Sequence, residues 1–198
     1  MQDSVNLGNS IAAEPRRDDV SGIAGLRFRA GDVGDLTTLL EIDQDSSLLF
    51  ERAGLYLDLP EAHEFPVSER EHLLASLTAG LTIIAMDARG HALAFVALGE
   101  RDGSPYVEQI SVRAEFTRRG IGSALLDLAL RTADARNALA AWLTTYDHLP
   151  WNRPFYERHG FVRVPEAECG FGIRAELEFQ RRWLPLPAQR IAMRRAPR

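Results

Sequence analysis

One stretch of the chain decides the fold: Thr117-Arg118-Arg119-Gly120-Ile121-Gly122-Ser123-Ala124-Leu125-Leu126, which follows a strand-like segment at 106–112. After the two glycines, apolar residues recur at helical spacing for about three turns. A strand therefore passes through a short loop into an amphipathic helix. The free N–H groups and the dipole at the start of that helix favour an anion, which glycines allow the backbone to approach closely. Because Arg118 and Arg119 flank the turn, a diphosphate-bearing ligand is its natural occupant.

The glycine spacing argues against two other nucleotide-binding folds. Leu125 stands where a dinucleotide-binding fingerprint has its third glycine. The chain contains no Gly-Lys-Ser or Gly-Lys-Thr sequence, which argues against a P-loop. A plain strand-to-helix turn, with glycines that serve tight packing, is the alternative interpretation of the segment.

Patterns of apolar residues elsewhere predict short strands and amphipathic helices. Strands are expected at 26–29, 81–86, 92–98, 106–112, 140–146, 161–164 and 190–194. Helices are expected from Leu36, from a capping box that begins at Ser68, after Gly122 and after Asn152, whereas 46–66 and 167–183 are mixed and partly helical. Residues 1–24 are polar without an apolar period, so we expect a disordered tail before one domain at 25–198.

The order of these elements predicts the sheet topology. Asp102-Gly103 is a strong hairpin signal, and the strands around it indicate an antiparallel meander. The strand, helix and strand around Gly120 imply a parallel pair with a crossover connection. We therefore expect an α/β (α+β) fold with a mixed, mostly antiparallel sheet of about six to seven strands flanked by helices.

Length, charge and cysteine content narrow the class of protein. The chain has 198 residues and a net charge of -5, so a generally basic nucleic-acid surface is not expected. The single cysteine, Cys169, excludes an intrachain disulfide and fits a reducing compartment. Neither a secretory signal nor an apolar run near the ~20 residues of a spanning helix is recognisable. We expect a soluble cytoplasmic protein, a monomer or homodimer, with no nucleic-acid or membrane partner.

Two segments together resemble the GCN5-related N-acetyltransferase (GNAT) superfamily. Its signature Gln/Arg-x-x-Gly-x-Gly/Ala corresponds to Thr117-Arg118-Arg119-Gly120-Ile121-Gly122, with threonine at the first position. Downstream, Asn152-Arg153-Pro154-Phe155-Tyr156-Glu157-Arg158-His159-Gly160-Phe161 resembles its Tyr-Glu-x-x-Gly-Phe segment. The pair occurs in the right order with a strand between, which is more specific than either match alone. The resemblance covers about residues 26–195 and is strongest at 81–164.

The resemblance implies a GNAT-like sheet whose parallel pair is splayed at an acyl-CoA site. It also implies that acetyl-CoA is the cosubstrate and that an amine of a small molecule or peptide attacks the acetyl group directly, without a metal. Backbone N–H groups near 111–113 would polarise the thioester. The implied cofactor contacts are Ile110, Ser111, Val112, Arg118, Arg119, Gly120, Ile121, Gly122, Ser123, Ala124, Asn152 and Phe155. Asn152 also fits a simple helix cap.

Acetyl transfer to an amine requires a base and an acid. An aliphatic amine with a pKa near ~10 must lose a proton before it attacks. Glu108 is the candidate base, because without a bulge it shares an apolar strand face with Ile110 and Val112, which raises a carboxyl pKa. In similar enzymes a bulge in this strand alters that facing. By its place in the second motif Tyr156 is the candidate acid. The alternatives are a strand-end surface glutamate and a packed tyrosine.

Charge gives only a weak indication of the acceptor. Residues 32–64 hold nine acids and one arginine: Asp32, Asp35, Glu41, Asp43, Asp45, Glu51, Asp58, Glu61 and Glu64, with Arg52. This segment favours a cationic acceptor, while an ordinary solvated face is the alternative. His148 and His159 have no second ligand at a metal spacing.

Two rival functions stay open. A non-catalytic acyl-CoA-binding regulatory module would need neither Glu108 nor Tyr156. A protein or aminoacyl-tRNA acetyltransferase is the other rival, and the net charge of -5 argues against tRNA as its substrate.

Overall fold

Seven strands in the described part of the chain pair into one sheet, in the order β1-β2-β3-β4-β5-β7-β6. The structure is a computed structural model that describes residues 25–135, 138 and 140–196; the expected tail at 1–24 lies outside them. The strands are β1 Arg27–Ala30, β2 Thr82–Met86, β3 Ala92–Arg101, β4 Ser104–Val112, β5 Ala141–Tyr146, β6 Val162–Val164 and β7 Arg190–Arg195. The expected mixed, mostly antiparallel sheet is confirmed.

Five α-helices of the described chain flank the sheet. They are α1 Leu36–Arg52, α2 Glu64–Thr78, α3 Ile121–Ala135, α4 Arg153–Arg158 and α5 Phe171–Trp183. Short 3-10 turns at Val33–Asp35, Ala114–Phe116, Glu166–Glu168 and Pro187–Gln189 connect them to the strands. Within the described residues, none of the helices has the length and apolar character that crossing a membrane requires.

The sheet is two antiparallel groups joined by one parallel pair. Strands β1 to β4 form the expected meander, and β5, β7 and β6 form a second antiparallel group. β4 and β5 are parallel, and α3 crosses over between them, as the strand–helix–strand pattern predicted.

Helices cover both faces of the sheet. On one face, α3 buries its apolar stripe, with Leu125 and Leu126 fully covered, against β2, β3 and β4. On the other face, α1 and α2 pack Leu39 and Leu73 against Phe95 of β3. α5 covers the rest of that second face beside Tyr106 and Ala192. The fold therefore has three layers, with the sheet between two layers of amphipathic helices.

The helix bounds differ from the sequence-based expectation in three places. α2 begins at Glu64 rather than Ser68, because the ring Nδ1 of His63 accepts a bond from the Phe65 N–H and caps the helix. Pro66 lies in the first turn, where a missing N–H is tolerated. The segment expected to be mixed at 167–183 contains one regular helix, α5, and residues 46–52 belong to α1.

Asp102 connects the β3–β4 hairpin to the start of α5. Asp102 and Gly103 both have positive φ, 52° and 71°, as a tight hairpin turn with right-handed strand twist requires. The Asp102 carboxylate accepts bonds from the N–H groups of Gly172 (2.7 Å) and Ile173 (3.1 Å). It therefore caps α5, whose own N-cap residue, Gly170, has no side chain to do so.

We expect Asp102→Ala to lower the free energy of unfolding by about 1–3 kcal/mol, because it removes this cap and because alanine tolerates a positive φ less well than aspartate. Asp102→Gly keeps the turn conformation and loses only the cap, so its loss should be smaller. Urea unfolding of both variants measures the two contributions. Wild-type stability in Asp102→Ala would show that other contacts fix the start of α5.

Candidate functional site

β4 and β5 separate soon after they meet. In the described chain they pair at a single register position, Tyr106 opposite Trp142. There the Tyr106 hydroxyl is 2.6 Å from Thr144 Oγ1, and Tyr106 is almost fully buried. Beyond this point the two strands diverge and leave the edge of β4 open at 107–112. A groove and a cavity open beside this gap.

The first opening, here called the α3 groove, has a volume of about 530 Å³ and lies beside the N-terminus of α3. Nine of the twelve expected cofactor contacts line it: Ile110, Val112, Arg118, Gly120, Ile121, Gly122, Ser123, Asn152 and Phe155. Phe116 and Trp151 add apolar surface, and Arg158 adds a second cation. The groove thus combines apolar walls with cationic groups and a helix start.

The turn before α3 brings unpaired backbone N–H groups to this groove. Arg118 and Gly120 both have positive φ, 61° and 83°, so the chain turns sharply before the helix begins. The first i to i−4 bond of the helix runs from Ala124 N–H to the Gly120 carbonyl, at 3.0 Å. The N–H groups of residues 121–123 precede it and have no partner within the helix. Such a turn is suited to a phosphate.

His159 is fixed by hydrogen bonds beside the same turn. Its Nδ1 is 2.8 Å from Asp127 and its Nε2 is 3.2 Å from Ser123 Oγ. The ring of His148 stacks edge-on against Tyr146. Over the described residues there is no group of three or more His, Cys, Asp or Glu side chains placed to hold a metal ion. In the structure, hydrogen bonds hold His159 and packing against Tyr146 holds His148.

Three expected cofactor contacts lie outside the groove lining. The Ser111 hydroxyl donates to Asp43 (3.0 Å) and so turns towards α1 on the opposite face. The Arg119 guanidinium lies 5.1 Å from the ring centre of Phe116. Ala124 lies in the first turn of α3. Any contact of Ser111 with a ligand in the groove would come from its backbone.

Several acids of the segment 32–64 have specific partners. Asp45 accepts a bond from the Ala114 N–H at 2.7 Å, and Asp43 binds Ser111. Asp35 forms an ion pair with Arg29 at 2.6 Å. These carboxylates therefore fix the segment to the sheet and to the loop after β4. A uniformly solvated acidic surface does not describe them.

The second opening, here called the α2 cavity, has a volume of about 460 Å³ and lies among α1, α2, α5 and the diverging strands. Its ionisable lining residues include Asp43, Glu51, Glu69, Arg70, Glu108 and Arg190. The α3 groove and the α2 cavity share five lining residues: Ser46, Phe50, Ile110, Asn152 and Tyr156. The two openings therefore meet at the gap between β4 and β5.

A β-bulge decides where Glu108 points. Ala97 pairs with Gln109 and Leu98 pairs with Val107, which leaves Glu108 as the extra residue of β4. The shared face with Ile110 and Val112 was expected only in the absence of a bulge, and the bulge removes it. Those two residues pack on the α3 side, while Glu108 lines the α2 cavity on the other face. A Cβ on Gly99 would collide with the Glu108 carboxylate, so glycine there makes room for it.

Glu108 belongs to a buried ion-pair network. Arg101 donates to both carboxylate oxygens of Glu108, at 2.7 and 3.0 Å, and to Glu176 of α5 at 3.0 Å. Burial raises the pKa of Glu108, although the charge of Arg101 and its hydrogen bonds oppose the shift. Glu108 is neither a solvated surface residue nor a carboxylate without a partner.

Glu69 is a functional candidate that the sequence reasoning missed. It lines the α2 cavity from α2, and its pKa is raised to about 8, first by burial and then by the charges of Glu176, Asp43 and Glu108. Burial likewise raises the pKa of Asp43. In the sequence, Glu69 stands inside a charged helical stretch, and no motif distinguishes it from Glu71.

Tyr156 lies where the α3 groove and the α2 cavity meet. Its ring packs edge-on against Phe155 and Phe161. Burial raises its pKa to about 12, so its hydroxyl remains protonated at neutral pH. Asn152 precedes α4 without a side-chain cap bond, and its carbonyl accepts the N–H of Tyr156 at 3.1 Å. The second motif thus places a protonated phenol at the junction.

Comparison with known proteins agrees with this geometry. The sequence profile described as the acetyltransferase (GNAT) family matches residues 46–161, more than half of the chain. The protein therefore belongs to the acetyltransferase (GNAT) family. The match includes the bulged strand, the turn at Gly120 and the motif around Tyr156.

Solved structures share the fold at low sequence identity. One is a PaiA N-acetyltransferase from Thermoplasma acidophilum in complex with coenzyme A, with 18% identity, a TM-score of 0.62, and coverage of 86% of this chain and 98% of that one. A GNAT-family acetyltransferase from Staphylococcus aureus has 15% identity, a TM-score of 0.63, and coverage of 87% and 99%. N-acetylglutamate synthase from Neisseria gonorrhoeae, with coenzyme A and N-acetyl-glutamate, has 15% identity, a TM-score of 0.64, and coverage of 89% of this chain but 36% of that one.

Proposed function

We propose that the protein is an acetyl-CoA-dependent N-acetyltransferase that moves an acetyl group to a primary amine by direct attack. One observation carries the proposal. A protonated tyrosine, Tyr156, lies between a groove suited to a phosphate-bearing ligand and a cavity whose carboxyl groups have raised pKa values. Family membership supports the same reaction class.

The α3 groove suits an acyl-CoA. Its helix start and the cations Arg118 and Arg158 would hold the diphosphate. The apolar side chains of Ile110, Val112 and Phe155 would flank the pantetheine arm towards the gap. The open edge of β4 at 110–112 would offer backbone groups to the arm and the thioester. The acetyl carbon would then face Tyr156 at the junction.

The chemistry requires an acceptor for the amine proton and a proton donor for the departing sulfur. The amine arrives as an ammonium ion and gives a proton to a carboxylate of the α2 cavity. Its nitrogen then attacks the thioester carbonyl carbon, so a C–N bond forms and the C–S bond breaks. Tyr156 donates to the departing sulfur, which leaves as the thiol, and the resulting phenolate regains a proton from the carboxyl group that accepted the first one. The attacking nitrogen releases its remaining excess proton to solvent. Acetyl-CoA and an ammonium ion thus yield an acetamide, CoA and one proton.

Two carboxylates are candidates for the base. Both oxygens of Glu108 accept bonds from Arg101, which favours a positioning role. Glu69 has a pKa of about 8, close to the pH at which a base works best. We therefore assign the role of base to Glu69. Glu108, the candidate derived from the sequence, is tested in parallel.

Coenzyme A is expected to raise the melting temperature, since a ligand that binds only the native state stabilises it. Gly120→Val should abolish this shift, because a β-branched residue at φ 83° distorts the turn. Gly90→Val is the matched control: its φ is 89°, no atom lies within 4 Å of the added Cβ, and it is far from the groove in the sequence. Thermal shift with CoA measures both. An unchanged melting temperature of the wild type at millimolar CoA would contradict the groove assignment.

Tyr156→Phe removes only the hydroxyl. If that hydroxyl donates to the leaving sulfur, turnover should fall about tenfold to a thousandfold while CoA affinity stays nearly unchanged. Release of the CoA thiol over an amine panel measures turnover, and CoA titration measures affinity. Full turnover, with chemistry shown to limit the rate, would assign Tyr156 to packing.

Glu69→Gln and Glu108→Gln separate the two base candidates. A base must be ionised, so the wild-type kcat/KM, which reports the free enzyme, should rise with pH through the Glu69 pKa of about 8 and level off above it. Glu69→Gln should lower kcat about a hundredfold and remove this limb, while Glu108→Gln keeps the limb. The pH profile of kcat/KM for each variant distinguishes the two candidates. Loss of the limb only in Glu108→Gln would make Glu108 the base.

A further inference from the structure

A buried arginine in the α2 cavity has no acidic partner. Arg190, at the start of β7, is only 7% exposed and lines the cavity. Its Nη2 donates to Gln180 Oε1 and to Thr144 Oγ1 (3.3 Å), both neutral groups. Its Nε is buried and has no hydrogen-bond partner among the described residues. In that part of the chain, no carboxylate lies within ion-pair distance of it.

The second buried arginine of β7 gives the contrast. Arg195 is 5% exposed, and both of its Nη groups bind Asp134 at 3.1 Å. Arg190 instead has the Tyr146 ring face, 4.7 Å from its guanidinium carbon, and two neutral acceptors. A buried cation without a counter-ion is costly, and guanidinium does not escape by deprotonation. The guanidinium of Arg190 is therefore available to bind an anion from outside the chain.

The cavity around Arg190 restricts that anion. Arg190, Glu69 and Tyr156 line the same cavity, so the guanidinium faces the site of the proposed chemistry. A phosphate dianion would face Glu69 and Glu108 with one buried cation to balance it, since Arg70, the other arginine of the lining, is exposed. A carboxylate matches a single guanidinium in charge and geometry.

We propose that Arg190 binds a carboxylate of the acceptor, so that the preferred acceptors are primary amines that also carry a carboxylate. This assignment rests on the proposed acetyl transfer and narrows its acceptor class. The amine of such a molecule meets the carboxyl groups of Glu69 and Glu108, and its carboxylate meets Arg190. Gln180 holds the guanidinium from α5 and also donates to Glu176 at 2.7 Å, which fixes Arg190 relative to Glu108 through Arg101.

Matched acceptor pairs test the assignment. Glycine, β-alanine, γ-aminobutyrate and glycylglycine are each compared with their carboxamides, by CoA-thiol release and by thermal shift in the presence of CoA. Arg190→Gln is compared with the wild type and with Arg194→Gln, which removes an exposed arginine from the same strand. The amine of each acid and the amine of its carboxamide differ in intrinsic reactivity. The quantity compared is therefore the ratio of kcat/KM for the acid to kcat/KM for its carboxamide, measured in each protein.

In the wild type and in Arg194→Gln, at least one carboxylate should exceed its amide, and Arg190→Gln should reduce that ratio by at least about tenfold. An unchanged ratio in Arg190→Gln overturns the assignment but leaves acetyl transfer intact. If no amine is acetylated, acetyl transfer to these acceptors fails, and the thermal shift then tests the carboxylate site by itself. A rise in melting temperature with carboxylates that is lost in Arg190→Gln supports the site. No rise in the wild type rejects it. If Arg190→Gln does not fold, the same comparison is made with Arg190→Lys, which keeps the charge and loses the planar fork.

Discussion

The divergence of β4 and β5 is the constraint on which the site depends. The two strands meet through Tyr106 and Trp142, and the buried bond between Tyr106 and Thr144 closes the apex of the wedge. If pairing continued along the strands, their ladder would occupy the edge of β4 at 107–112. Since it stops, the α3 groove and the α2 cavity meet there. The crossover through α3 also places a helix start beside the opened edge, as parallel strands require a long connection.

The β-bulge in β4 is a second constraint, and it positions the charged groups of the α2 cavity. The bulge turns Glu108 into the α2 cavity, where Arg101 joins it to Glu176, and Gln180 continues the chain of contacts to Arg190. Arg101 pairs with both carboxylates of the network, whereas Arg190 joins it only through the neutral side chain of Gln180 and has no counter-ion among the described residues. Buried polar networks are tolerated when their members bond one another, and this one joins β3, β4, α5 and β7. It gives the cavity rigid walls.

Local patterns predicted the elements, and tertiary contacts determined the site. The strands of the meander, the turn at Gly120 and the crossover helix followed from periodicity and glycine placement, because both are properties of neighbouring residues. The start of α2 was wrong, since a histidine cap is a weak signal beside the capping box at Ser68. Glu108 was predicted as the base, but the extra residue in β4 places it on the face opposite Ile110 and Val112. Glu69 and Arg190 lie far from both motifs, so only the folded chain brings them into one cavity.

Glu69 and Arg190 both line the α2 cavity but do not form an ion pair with each other. The pKa of Glu69, on α2, is raised to about 8 by burial and by neighbouring carboxylates. The charge of Arg190 lowers this pKa, but only in part. Direct contact between Glu69 and Arg190 would lower that pKa far below neutrality and end any use of Glu69 as a base. Separation keeps Glu69 protonated at neutral pH and Arg190 without a counter-ion. On the proposal above, an acceptor that carries both an ammonium and a carboxylate satisfies both groups at once. The ammonium favours ionised Glu69, so binding itself prepares the base.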